Sequence, residues 1–150
     1  MKFAYLIMAH NNKDQLMKLI GLLDDVNNDI YLHLDKKSDL EVETFQNLTK
    51  RANIYVFKKI DVLWGNDTIA RVALFLLQQA VGVYHDYYHL ISGQDLPLKS
   101  NRAISDFFSS NFGKEFVHFE SHSCCQKSHC KYYNFFYTKI HIIYPLRRTT

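Results

Sequence analysis

The sequence predicts an α/β domain, a mostly parallel sheet with helices on both faces. Two observations carry this. Short apolar runs of strand length alternate along the chain with stretches of helical periodicity, the pattern of successive βαβ units. The first of these runs is apolar on both of its faces, as a strand sandwiched between helices must be. At 150 residues, 47% of them hydrophobic and 22% charged, the chain is long and apolar enough to bury a core and does not have a disordered composition.

The elements follow in order. "FAYLIMA" (Phe3 to Ala9) is too short for a helix and is expected as a buried strand. Asn11 and Asn12 offer an N-cap, after which Leu16, Leu19, Ile20 and Leu23 form one apolar stripe at helical spacing. "DIYLHLD" (Asp29 to Asp35) reads as the second strand, Leu40 to Arg51 as a weaker helix, and "NIYVFK" (Asn53 to Lys58) as the third strand. Asp67 or Asn66 is placed to cap a helix whose face is Ile69, Val72, Ala73, Leu76, Leu77 and Ala80. "YYHLIS" (Tyr87 to Ser92) is the fourth strand. Asn101 can cap a short helix through Phe107 and Phe108 that stops near Gly113, and "EFVHFE" (Glu115 to Glu120) is a fifth strand. Residues 1–120 are expected to form the α/β domain, with the Cys/His-rich and aromatic segment 121–150 continuing it without a convincing closing element.

Charge excludes little on its own. Residues 1–100 carry 11 Lys/Arg against 12 Asp/Glu, and residues 101–150 carry 7 against 3. A net charge of +3 is too weak to argue for a nucleic-acid partner, and none is expected. No apolar segment approaches the roughly 20 residues needed to span a bilayer. The start "MKFAYLIMAH" runs into His10 and two Asn where a signal peptide would need a cleavage site, so a cytoplasmic location is expected. Cys124, Cys125 and Cys130 lie close together with His118, His122 and His129, but adjacent Cys-Cys and His-Cys pairs do not have zinc-site spacing. No metal site is expected there.

In an open parallel sheet, ligands bind beyond the carboxyl ends of the strands. Those ends carry Ala9-His10-Asn11, Asp35-Lys36-Lys37-Ser38, Trp64-Gly65 and Ser92-Gly93-Gln94-Asp95. Asp35 suits a ribose or base edge, and equally a turn or helix cap. There is no G-x-G-x-x-G and no G-x-x-x-x-G-K-[ST], which disfavours a dinucleotide dehydrogenase and a P-loop kinase. No D-x-D stands at a strand end, so a bound diphosphate would rely on basic side chains.

"AYLIMAHN", "IYLHLDKKS", "IDVLWGN" and "YYHLISGQDLPLKS", in this order and at these intervals, resemble the core-2/I-branching family of β-1,6-N-acetylglucosaminyltransferases, especially bacterial members of surface-polysaccharide clusters. The similarity covers residues 3 to 120. It implies a GT-A-like, Rossmann-like nucleotide-sugar-binding sheet and an inverting, metal-independent transfer from a UDP-sugar to a glycan or lipid-linked saccharide, with peripheral contact at the inner face of the membrane. UDP-sugar is then a substrate, and no cofactor is implied. By position, Ala9, His10, Asp35 and Trp64 would line the nucleotide, and Ser92, Gly93, Gln94, Asp95 and Lys99 would form the sugar or acceptor loop. Leu63 stands where many relatives carry a basic residue. Family members are longer, and their later part carries the glutamate base and the basic clamp. Nothing after Glu120 reproduces that part, so no catalytic residue is assigned here and the fold is expected to be incomplete at its C-terminus. The alternative reading is a truncated, non-catalytic nucleotide-binding remnant.

Overall fold

A computed structural model describes residues 1–63, 65–114 and 116. The order of elements is β1 (Phe3–Ala9), α1 (Lys13–Leu22), β2 (Asn28–Leu34), α2 (Val42–Gln46), β3 (Asn53–Phe57), α3 (Thr68–Ala80), β4 (Tyr87–Ser92) and α4 (Asn101–Ser110). All pairings in the sheet are parallel, and the spatial order is β3-β2-β1-β4. The expected strand at Glu115 to Glu120 apart from Phe116, the segment 121–150 with its cysteines, and Trp64 lie outside the described residues.

Helices cover both faces, as the sequence predicts. Phe3, Tyr5 and Ile7 of β1 point to one side with Ile30, Leu32 and Leu34 of β2, and pack against Leu16, Leu19 and Ile20 of α1, Phe45 of α2 and Phe108 of α4. Ala4 and Leu6 point to the other side with Tyr31 and Tyr88, against Val72, Leu76 and Ala80 of α3. The two-residue alternation of each strand thus feeds two separate cores.

Four local expectations need correction. β2 begins one residue early, at Asn28, whose Nδ2 donates to the Leu23 carbonyl at 2.8 Å and so makes a polar residue acceptable in the ladder. α2 is shorter than Leu40 to Arg51, because the backbone amides of Lys50, Arg51 and Ala52 donate to the Asp24 carboxylate instead of continuing a helix. Asp67 holds the N-cap position of α3 but caps nothing with its side chain, which accepts from Arg71 Nε at 2.8 Å. Ser100, not Asn101, caps α4; Asn101 Nδ2 is engaged by the Leu22 carbonyl at 2.9 Å.

The amino edge of the sheet is locked by one buried carboxylate. Asp29 accepts from Asn53 Nδ2 at 2.8 Å, lies 2.9 Å from Lys2 Nζ and pairs with His85 Nε2 at 2.8 Å. Burial works to raise its pKa, but the hydrogen bonds from Asn53, Lys2 and His85 outweigh that and hold it below the ordinary carboxylate value. The first-strand terminus, β2, β3 and the entry to β4 are therefore tied at one point, at the end of the sheet opposite the carboxyl-edge loops.

Candidate functional site at the carboxyl edge

β2, β1 and β4 end side by side. Ala9 is in register with Leu34, and Met8 with Ser92. Two further backbone bonds extend the ladders by one step: Asp35 N donates to the Ala9 carbonyl and Gly93 N to the Met8 carbonyl, each at 2.8 Å. Ala9, Asp35 and Gly93, which are far apart in sequence, are thus brought to one edge by backbone geometry, and His10 follows directly.

Gly93 is required there. A Cβ on it would meet the Ala9 Cβ at 2.6 Å and the Ala9 Cα at 3.2 Å. The loop it opens is stitched to the start of α1: Gln94 Nε2 donates to Asn11 Oδ1 at 2.8 Å, and Gln15 Nε2 donates to the Gln94 carbonyl. Asn12 sits at φ 56° as the N-cap of α1, its side chain accepting from Gln15 N. Within the loop, Asp95 Oδ2 accepts from Ser92 N at 2.9 Å, and Ser92 Oγ accepts from Gln94 N at 3.2 Å. Asp95 therefore closes a turn as well as standing at the edge. Lys99 is exposed next to the cap of α4, and no hydrogen bond or ion pair among the described residues ties it to the loop.

Asp35 has the turn role that its position allows. Its Oδ1 accepts from Lys37 N at 3.1 Å and from Val62 N at 3.2 Å, while Oδ2 takes part in neither bond. The carboxylate reaches across to the connection between β3 and α3, which carries the sequence "IDVLWGN". Lys36 N donates to the Ile60 carbonyl at 3.2 Å, and the far end of the same connection is fastened by Thr68, whose Oγ1 accepts from Leu63 N at 2.9 Å. Gly65 turns the chain at φ 82°, a value that favours glycine.

His33 is not among the site residues expected from the sequence. This residue is 1% exposed, and its Nε2 accepts from Ile60 N at 3.2 Å. Burial lowers its pKa from the ordinary imidazole value, against the opposing influence of Asp35. Its ring meets Phe75 of α3 edge-on at 6.3 Å.

Among the described residues, no three His, Cys, Asp or Glu side chains gather around a point that would suit a metal ion. No helix among them is long and apolar enough to cross a membrane.

A parallel sheet with both faces covered, whose polar loops are fastened together at the carboxyl edge, is the architecture of a ligand-binding α/β domain. The chain belongs to the core-2/I-branching enzyme family, whose family model matches residues 3–140. It is also similar to xylosyltransferase 2 of Homo sapiens, Canis lupus familiaris and Bos taurus. Each is 25% identical over 122 residues, which cover 77% of this chain. The chain spans 14% of the length of these curated relatives.

Proposed function

We propose that this chain forms the nucleotide-sugar-binding sheet of a glycosyltransferase and that its carboxyl edge holds a UDP-sugar. The observation that carries this reading is the family match over residues 3–140, which spans every strand of the sheet and all the loops at that edge. In a GT-A-type arrangement, Ala9, His10, Asp35 and Trp64 line the nucleotide. Ser92, Gly93, Gln94 and Asp95, with Lys99 beyond them, face the sugar or the acceptor.

The reaction is inverting transfer. A hydroxyl oxygen of a glycan or lipid-linked saccharide attacks the anomeric carbon, the bond from that carbon to UDP breaks, and a carboxylate takes the hydroxyl proton. The diphosphate charge is balanced by Lys and Arg side chains rather than by a divalent cation. Surface-polysaccharide synthesis at the cytoplasmic face of a membrane is the setting in which such an acceptor is met. The family resemblance favours N-acetylglucosamine as the sugar, and the relatives named xylosyltransferases make xylose the second donor to test.

Calorimetric titration with UDP in the presence of EDTA tests the reading. Saturable binding that survives the chelator is expected, while no heat at millimolar UDP overturns the nucleotide site. Binding that needs a divalent cation overturns the metal-independent mechanism. UDP release from UDP-N-acetylglucosamine and from UDP-xylose, with saccharide acceptors present, then separates the two donors.

A further inference from the structure

We infer that His33 is a positioning residue for the nucleotide site, acting through Ile60 to hold the β3–α3 connection against the end of β2. The inference rests on the reading of the carboxyl edge as a nucleotide site.

The geometry is a paired clamp. Residue 33 of β2 and residue 35, just past its end, are two apart along the chain, and residues 60 and 62 have the same two-residue spacing in the connection. His33 Nε2 accepts from Ile60 N and Asp35 Oδ1 accepts from Val62 N, both at 3.2 Å. Between them, Lys36 N donates to the Ile60 carbonyl. Ile60 is therefore held at both of its backbone polar groups. β3 has already ended at Phe57, so side chains of β2 take over where backbone pairing stops. This fixes the approach of the segment that runs on to Leu63.

Only the neutral ring can do this. An amide N–H can only donate, so Nε2 is the bare nitrogen and the ring hydrogen is on Nδ1, which is buried without a hydrogen-bond partner among the described residues. Protonating His33 would place a donor opposite a donor and open the clamp. Met8 of β1 and Phe57 of β3 are the cross-strand neighbours of His33 in the register and Phe75 of α3 meets its ring edge-on; none of these three titrates. Tyr31 and Asp35 flank it on its own strand, and Lys59 Nζ lies 5.5 Å from the centre of the Phe75 ring.

The test compares wild type with His33→Gln, whose side-chain oxygen can replace Nε2 as acceptor, and His33→Leu, which keeps the bulk without an acceptor. Amide exchange by NMR reads the clamp, and calorimetry with UDP reads the site. In His33→Leu, protection of the Ile60 amide and affinity for UDP are each expected to fall roughly three- to tenfold, the worth of one hydrogen bond. His33→Gln should recover most of both. In wild type, Ile60 protection should decline as pH is lowered below the ordinary histidine range, and in His33→Gln it should not. Ile60 protection unchanged in His33→Leu overturns the clamp. Protection lost with UDP affinity unchanged overturns the positioning role. If wild type itself binds no UDP, the nucleotide reading fails and the positioning role with it, while the exchange data still report on the clamp separately.

Discussion

Gly93 packs onto Ala9 so closely that no side chain fits between them: a Cβ at position 93 would stand 2.6 Å from the Ala9 Cβ. The contact sits where β1 and β4 leave the sheet together, so it sets the spacing of the two loops beyond. Gly93→Ala is expected to cost about 1–3 kcal/mol, the usual penalty of overpacking. In an Ala9→Gly background the same change should cost less, because the nearest clash is then gone and the Cα of residue 9, at 3.2 Å, and Leu16 Cδ1, at 3.4 Å, remain. Urea unfolding of the four proteins of this cycle checks it. A Gly93→Ala cost that is the same in both backgrounds would show that the two residues are not coupled.

Asp35 holds a turn, and substitution can separate that role from the nucleotide contact proposed for it. Asp35→Ala removes the acceptor for Lys37 N and Val62 N and is expected to lower stability by about 1–3 kcal/mol as well as UDP affinity. Asp35→Asn keeps an oxygen acceptor, so its stability should stay within about 1 kcal/mol of wild type. If the carboxylate meets the nucleotide, UDP affinity nevertheless falls in the Asn variant. Thermal unfolding and calorimetry on the same samples distinguish the two effects.

How much of this was legible beforehand depends on the reach of each interaction. β1 and β4 were legible to the residue, because an apolar run bounded by polar groups is a local signal. That the ends of β1, β2 and β4 meet at one edge followed from the parallel order. The length of α2 was not legible, since it is limited by Asp24, which lies 26 residues before Lys50. The cap of α4 was misplaced by one residue because Asn101 is drawn to Leu22, 79 residues away. His33 was invisible for the same reason. A histidine in an apolar strand gives no local sign that it accepts from an amide 27 residues on.

Stability should fall on mild acidification because of His33. Its folded pKa lies below the ordinary value, so it stays neutral in the native state over a range in which the unfolded chain is protonated. The unfolded state then binds more protons, and stability drops as pH falls from about 6.5 toward the native pKa, by up to ~1.4 kcal/mol per pH unit. Above about pH 6.5 the His33 contribution is flat. Urea midpoints measured between about pH 5 and 7.5 should show this slope reduced in His33→Gln. An unchanged slope would mean that the native ring titrates as it does in the unfolded chain.

Asp29 makes a prediction of the same sign, in a lower pH range, at the amino edge. Its folded pKa is depressed, so its contribution is present above about pH 3.9 and is lost as pH falls through the folded value. It is 1% exposed, and its removal leaves the buried His85 Nε2 without this partner, while Asn53 and Lys2 can turn to water. Asp29→Ala is therefore expected to cost about 1–3 kcal/mol, the cost of leaving a buried hydrogen-bonding group unpaired. It is at the end of the sheet opposite Ala9, Asp35 and Gly93, so protein that remains folded should bind UDP with unchanged affinity. Unfolding in urea gives the first quantity, and calorimetry corrected for the folded fraction gives the second. A weakened UDP affinity in the folded fraction would mean that the amino-edge lock governs the carboxyl-edge loops through the strands that join them.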